Sequence, residues 1–173
     1  STHPFEKQPA IHFTGERFIP EETPEDSHLA REHRARYDFA MRFVLSDDIV
    51  LDCASGAGYG SYALASKAQA VTGVDISADA IAHAAEMYQA TNLHYRTGDA
   101  EHLSDFADGT FTLVTSFETI EHIRDQRAYL KSIRRVLKRG GTFIMSMPNR
   151  EFYSMAGLPA GVVNPFHINE RSI

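Results

Sequence analysis

Residues 49–60 read IVLDCASGAGYG, and this stretch decides the fold. The first five residues form a short apolar run that ends in small residues, which is typical of a buried strand. Glycines follow at alternate positions, and a helical pattern begins at Tyr59. Glycine lets the backbone turn tightly and pass close to a ligand, and the N–H groups that open a helix point towards such a ligand. The stretch therefore predicts a strand, a ligand-binding loop and a helix in direct succession.

Strand and helix patterns alternate after this loop. We predict further strands at residues 71–75, 93–96, 111–117 and 142–147. We predict helices at 27–44, 59–67 and 77–88, and a last one from about Asp125 to the Gly140-Gly141 pair. The apolar face of that last helix is expected to comprise Leu130, Ile133, Val136 and Leu137.

This alternation predicts the fold class. Strands that alternate with helices form an α/β fold, here a doubly wound, mostly parallel Rossmann-like sheet with helices on both faces. Ligands bind such sheets at the carboxyl ends of the strands, near the point where the strand order reverses. We therefore expect the loop after the first strand to lie in a binding site.

The spacing of the loop glycines separates two classes of ligand. A dinucleotide-binding loop reads G-x-G-x-x-G, whereas this loop reads Gly56-x-Gly58-x-Gly60 and has Ser61 in the sixth position. Asp52 lies four residues before the first glycine. Its carboxylate would repel a pyrophosphate and attract the ammonium group of an amino acid. The pattern disfavours a nucleotide-dependent oxidoreductase.

Acidic residues also end the next two strands. Asp75 comes about 20 residues after the loop, where a carboxylate can accept hydrogen bonds from both ribose hydroxyls. Asp99 ends the third segment, where it can accept a hydrogen bond from an adenine amino group. Three acids in this order suit a ligand with a cationic head, a ribose and a base.

The motifs resemble those of class I S-adenosylmethionine-dependent methyltransferases. The group to which they are most similar is the small type 11 bacterial group that includes ubiquinone and menaquinone biosynthesis enzymes. The resemblance covers residues 50–149 and rests on residues 50–58, 74–77, 98–101, 116–123 and 135–141. Two residues depart from the family pattern, Ala54 in place of glycine and Arg139 in place of proline. We expect Ala54 to preserve close approach and Arg139 to affect only a turn.

The resemblance implies a cofactor and the residues that bind it. The cofactor is S-adenosylmethionine, with S-adenosylhomocysteine as its product. The implied binding residues follow the motifs and are Asp52, Ala54, Ser55, Gly56, Gly58, Tyr59, Asp75, Ile76, Asp99, Ala100 and Phe117. The family usually has seven strands, and this chain leaves no room for the last of them. An open fifth strand is a pairing hazard, so we expect residues 150–173 or a second copy, in a homodimer, to cover it.

Candidate catalytic residues follow the fourth strand. His122 is a candidate general base because its ordinary pKa lies near neutrality; alternatively, it orients Glu121 or caps a turn. Glu118 either binds an amine or hydroxyl of the substrate or takes a solvent-exposed or capping role. His167 is a second candidate base, in a segment similar to one in methyltransferases of bacterial glycan and sugar-modifying clusters; it is alternatively an ordinary loop histidine.

The composition restricts the class of protein. The chain has 173 residues, enough for one domain, and its net charge of −6 argues against wrapping nucleic acid. No apolar run is long enough to span a bilayer. Cys53 is the single cysteine, which fits a reducing cytoplasm, and no residues have the spacing of zinc ligands.

These observations lead to one functional hypothesis with two alternatives. We expect an arm and helix at 1–44 that act as a lid, a cofactor-binding core at 45–149, and a substrate-side segment at 150–173. The favoured function is O- or N-methylation of a small molecule, a sugar or glycan precursor. The alternatives are quinone-type C-methylation and a non-catalytic domain that binds S-adenosylmethionine or acts as a scaffold.

Overall fold

The computed structural model of the protein describes residues 19–21 and 23–148. Strands and helices alternate in it as the sequence predicts. The strands are β1 (Ile49–Cys53), β2 (Ala70–Asp75), β3 (Leu93–Thr97), β4 (Phe111–Phe117) and β5 (Leu137–Ser146). The helices are α1 (His28–Met41), α2 (Tyr59–Ala65), α3 (Ala78–Met87) and α4 (Gln126–Val136), and a 3-10 turn covers Ile120–His122.

The five strands form one sheet in the order β3-β2-β1-β4-β5. Every pair is parallel. The strand order reverses between β1 and β4, so the loops after these two strands open a crevice at the carboxyl edge. The predicted doubly wound α/β fold is confirmed.

Alternate residues of β1 face opposite sides of the sheet. Val50 belongs to an apolar cluster with α1 and α2, and Leu51 belongs to a cluster with α4. Asp52 hydrogen-bonds to Tyr37 of α1 and Ser61 of α2, and therefore faces the first side. A carboxylate thus takes a core position directly beneath the glycine loop.

The prediction for the end of α4 was wrong. The helix ends at Val136, and the backbone N–H of Leu137 caps it by donating to the Ile133 carbonyl. Leu137 then pairs with Phe111 as the first residue of β5, so Gly140 and Gly141 lie inside the strand. The register between β4 and β5 shifts there, and Gly140 takes a φ of 79° that glycine tolerates.

The apolar face of α4 also differs from the prediction. Tyr129, Ile133 and Val136 are buried at i, i+4 and i+7, whereas Leu130 is 44% exposed. Leu130 was wrongly assigned because it precedes Ile133 by three residues, a spacing that also fits the face. The buried face instead includes Tyr129, which is the largest fully buried side chain among the described residues.

The open side of β5 lies next to the end of the described residues. Within residues 23–148, β5 pairs only with β4. Residues 150–173, expected to cover this edge, lie outside the described residues, so the edge-covering segment and the homodimer remain predictions. No helix in the described part is long and apolar enough to cross a membrane.

Candidate functional site

A cavity of about 720 Å³ opens at the carboxyl edge of the sheet. Residues at the ends of β2 and β4 and in the segments after β1, β2, β3 and β4 line it, together with one residue of α1. The lining residues are His33, Ala54, Gly56, Val74, Asp75, Ile76, Gly98, Asp99, Ala100, Glu101, Phe117, Glu118, Thr119, His122, Ile123 and Arg124. Seven of the predicted cofactor residues and two of the predicted catalytic residues therefore share one cavity.

The loop after β1 has an unusual backbone. Ala54, Gly56 and Gly58 have φ values of 64°, 55° and 93°. A Cβ at Gly58 would lie 2.5 Å from the Cβ of Ala84, so α3 approaches the loop closely. Ala54 occupies a left-handed conformation that glycine adopts at less cost, which fits the glycine expected there from the resemblance.

Asp75 links this loop to the next one. Its Oδ2 accepts the backbone N–H of Gly56 at 2.9 Å, and its Oδ1 accepts the backbone N–H of Ser77 at 2.9 Å. The side chain lines the cavity although the residue is only 7% exposed. Asp75 is therefore held rigidly at the cavity wall.

Asp99 and Glu101 form the wall on the β3 side. Asp99 Oδ1 accepts the backbone N–H of Glu101 at 2.8 Å, and its Oδ2 lies 3.1 Å from His102 Nδ1. Glu101 accepts the backbone N–H groups of Arg124 and Asp125 at 3.1 and 3.3 Å. The loops after β3 and β4 are thereby tied together across the cavity.

Asp52 lies beneath the loop. Among the described residues, it is not part of the cavity wall. Its carboxylate accepts hydrogen bonds from the hydroxyl groups of Ser61 at 2.6 Å, Thr115 at 2.8 Å and Tyr37 at 3.2 Å. Burial raises the pKa of Asp52, and these three hydrogen bonds oppose that rise. The buried Asp52 carboxylate thus connects α1, α2 and β4 through hydrogen bonds.

Glu118 is fixed at the end of β4. Its Oε1 accepts the Ser146 hydroxyl at 2.7 Å and lies 3.5 Å from an Arg36 guanidinium nitrogen. Its backbone has a φ of 48°, which strains a non-glycine residue. Neighbouring strand β5 and helix α1 thus hold this carboxylate in the cavity wall.

His122 and Glu121 occupy different environments. Glu121 is fully buried, whereas the His122 side chain is 35% exposed and lines the cavity. His122 Nε2 lies 3.9 Å from Glu121 Oε1. The imidazole therefore faces the cavity with a carboxylate beside it, an arrangement compatible with either role expected for His122.

Helix α1, expected from the sequence to act in a lid, also contributes a residue to the cavity wall that was not predicted. His33 lines the cavity, and burial, with the nearby Arg36, lowers its pKa to about 4. His33, Arg36 and Tyr37 are spaced i, i+3 and i+4, which places them on one helix face. That spacing is visible in the sequence and could have indicated that these residues share a face.

The remaining predicted residues have different positions. Ser55, Gly58 and Tyr59 belong to the loop and to the start of α2, behind the cavity wall. His167 lies outside the described residues. Cys53 is buried, and burial raises the pKa of its thiol well above its usual range, which disfavours the reactive thiolate. Within the described part, no group of His, Cys, Asp and Glu could hold a metal ion.

The comparisons with known proteins agree with this architecture. A family described as "Methyltransferase domain" matches residues 51–145, more than half of the chain. The chain belongs to this methyltransferase domain family. The match confirms the resemblance found in the sequence, and with the relatives it implies S-adenosylmethionine as the cofactor.

Two curated relatives illustrate the range of similarity. The chain is 33% identical over 161 residues to a probable S-adenosylmethionine-dependent methyltransferase of Mycolicibacterium smegmatis, across 93% of this chain and 60% of the relative. It is 34% identical over 128 residues to a ubiquinone biosynthesis O-methyltransferase of Coxiella burnetii, across 72% of this chain and 53% of the relative. The chain thus spans little more than half the length of these relatives.

A solved structure shows the same fold. The YcgJ protein of Bacillus subtilis superposes with a TM-score of 0.70 and 25% sequence identity. The similarity covers 82% of this chain and 64% of that one.

Proposed function

We propose that the protein transfers a methyl group from S-adenosylmethionine to a small molecule. The observation that supports this best is the single cavity in which the loop after β1, Asp75 and Asp99 meet. Family membership supplies the class of reaction. When bound, S-adenosylmethionine supplies an electrophilic methyl group on a sulfonium.

The cavity suits the three chemical parts of this cofactor. Asp75 would hold the ribose hydroxyls, and Asp99 with Ala100 would hold the adenine. Ile76, which is 73% exposed on the wall, offers an apolar contact to the base. The charge of Asp52 would attract the ammonium group from beneath the loop, because Coulomb attraction is stronger away from water.

The acceptor would occupy the part of the cavity beside β4. A hydroxyl or amine must lose its proton as it attacks the methyl carbon, and a positioned base assists this step. We assign that role to His122, since its imidazole lines the cavity and lies 3.9 Å from the Glu121 carboxylate. Glu118, held by Arg36 and Ser146, would bind a second hydroxyl or amine of the acceptor.

A polyhydroxylated acceptor fits this wall best, so we favour O- or N-methylation of a sugar or glycan precursor. Glu118, His122 and Arg124 are all polar and all line the cavity on the β4 side. Quinone-type methylation is the second candidate, because relatives are named as ubiquinone biosynthesis O-methyltransferases.

The ends of the chain would complete the site. We propose that residues 1–44 cover the cavity as a lid, since His33 lines it and Ile19 packs against Ala57 of the loop. Residues 45–149 would hold the cofactor, and residues 150–173, which include His167, would face the acceptor. Either this last segment or a second copy of the chain would cover the open edge of β5. The proposal is contradicted if sedimentation shows a monomer at every concentration and hydrogen exchange shows that the β5 amides exchange freely.

Calorimetry and product detection test the proposal in two stages. Titration with S-adenosylmethionine, S-adenosylhomocysteine and NAD should show binding of the first two alone. Release of S-adenosylhomocysteine is then measured with a nucleotide sugar, a free amino sugar and a catechol as acceptors. Cofactor binding without turnover on any acceptor class would favour the non-catalytic alternative.

A further inference from the structure

Helix α1 lies outside the residues that define the family match, which begins at residue 51. It nevertheless contacts the residue beneath the glycine loop through Tyr37. The Tyr37 hydroxyl lies 3.2 Å from each carboxylate oxygen of Asp52. Both side chains are buried, so this contact belongs to the interior of the cofactor half of the fold.

The ring of Tyr37 fits a slot left by a glycine. A Cβ at Gly60 would lie 1.8 Å from the Cζ atom of Tyr37, so no larger residue is compatible with this packing. The ring also makes edge contacts with Phe117 at 5.0 Å and Tyr59 at 6.4 Å between centroids. The absence of a side chain at Gly60, the third glycine of the loop, therefore leaves room for the Tyr37 ring of α1. Gly56, the first glycine, lines the cavity.

The Tyr37 hydroxyl supplies a hydrogen-bond donor to the buried carboxylate of Asp52. A buried carboxylate is costly unless hydrogen bonds compensate its lost hydration. Ser61 and Thr115 provide two donors from the core of the fold, and Tyr37 provides the third from α1. Hydrogen bonds to an ionised group are stronger than neutral ones, so the third donor contributes measurably to keeping Asp52 charged.

We propose that Tyr37 is a positioning residue for the cofactor: through its hydroxyl it holds the Asp52 carboxylate ionised and fixed beneath the loop, so that this charge acts on the amino acid end of S-adenosylmethionine. The proposal depends on the proposed function for the identity of the ligand. It assigns α1 a part in cofactor binding that goes beyond covering the cavity. Loss of the hydroxyl should weaken ligands that carry the ammonium group and spare those that lack it.

The proposal also predicts a change in pH dependence. The hydrogen bond from Tyr37 lowers the pKa of Asp52, against the larger effect of burial. Removing it should raise that pKa, so protonation would compete with ligand binding at higher pH. The other titratable groups that act on Asp52 or respond to it are Asp75, Cys53 and Tyr95, and Tyr37→Phe leaves all three in place.

The test compares two ligands by calorimetry. S-adenosylhomocysteine carries the ammonium group, whereas 5′-methylthioadenosine keeps the adenine, ribose and thioether without it. For Tyr37→Phe we expect the Kd of S-adenosylhomocysteine to rise several-fold, because the Asp52 charge that attracts the ammonium group is weakened, and its dependence on pH to move upwards. The Kd of 5′-methylthioadenosine should change less than about twofold, within the uncertainty of such comparisons.

Controls separate this role from a general loss of structure. Tyr62→Phe changes a half-exposed tyrosine of α2 and should leave both affinities unchanged. If thermal unfolding shows that Tyr37→Phe does not fold, Thr115→Val removes a different donor to the same carboxylate and should show the same selectivity.

Three results overturn the inference. Unchanged binding of S-adenosylhomocysteine by the folded variant shows that Tyr37 does not position the cofactor. Equal weakening of both ligands shows that the effect is not specific to the ammonium end. A wild-type protein that binds neither S-adenosylmethionine nor S-adenosylhomocysteine refutes the proposed function as well, and is distinguished by its failure before any substitution.

Discussion

Gly56 donates its backbone N–H to the Oδ2 atom of Asp75 at 2.9 Å. This bond connects the loop after β1 to the end of β2, across the two strands on which the cofactor half of the cavity is built. The other carboxylate oxygen of Asp75 accepts a hydrogen bond from the Ser77 N–H at the start of α3. The carboxylate therefore shapes the site as well as facing it.

Asp75→Ala should accordingly weaken the binding of S-adenosylhomocysteine. The variant loses the expected ribose hydrogen bonds and releases the Gly56 N–H, for a combined loss of about 1–3 kcal/mol. Calorimetry measures the change directly. Asp79→Ala, which removes an exposed acid from the first turn of α3, should bind as the wild type does, and an unchanged affinity in Asp75→Ala would refute the ribose assignment.

Gly60→Ala should destabilise the fold through α1. The new methyl group would overlap the Tyr37 ring, and overpacking of this kind costs about 1–3 kcal/mol or more. Urea denaturation measures the loss. Combining it with Tyr37→Ala should restore part of the stability, because the two residues compete for one slot; strictly additive losses would show that the ring does not occupy it.

The site illustrates what a single sequence can and cannot predict. The loop, the alternation of strands and helices, and the positions of Asp75 and Asp99 follow from patterns within short segments. The partners of Asp52 are separated from it by 9, 15 and 63 residues, so no local pattern could indicate them.

The α4–β5 boundary was missed for a different reason. A glycine pair is an ordinary helix stop, and Leu137 fitted the helical spacing. Leu137 pairs with Phe111 and is therefore the first residue of β5. Its partner strand β4 lies 20 residues or more earlier in the sequence, so no local pattern indicates this pairing.

Glu118→Gln tests the acceptor side of the cavity. The neutral amide keeps the size of the side chain but removes the charge that faces Arg36. If Glu118 binds the acceptor, turnover should fall roughly tenfold or more, as expected for a lost hydrogen bond to a charged group, while the affinity for S-adenosylhomocysteine stays constant. The matched control is Glu25→Gln, an exposed acid paired with Arg34. A parallel loss of cofactor affinity would place Glu118 with the cofactor instead.

His33 should make stability depend on pH. Its pKa is lowered from 6.5 to about 4 in the folded protein, chiefly by burial and then by Arg36. The unfolded chain therefore binds a proton that the folded protein excludes when the pH lies between these values, and stability falls as the pH decreases through that window. Above pH 6.5 both states are unprotonated at this residue and the effect vanishes. Denaturation midpoints measured from pH 4.5 to 7.5 should show a shallower pH dependence for His33→Gln than for the wild type. His94→Gln, which replaces an exposed histidine on β3, should retain the wild-type slope, and identical slopes in all three proteins would show that His33 protonates freely in the fold.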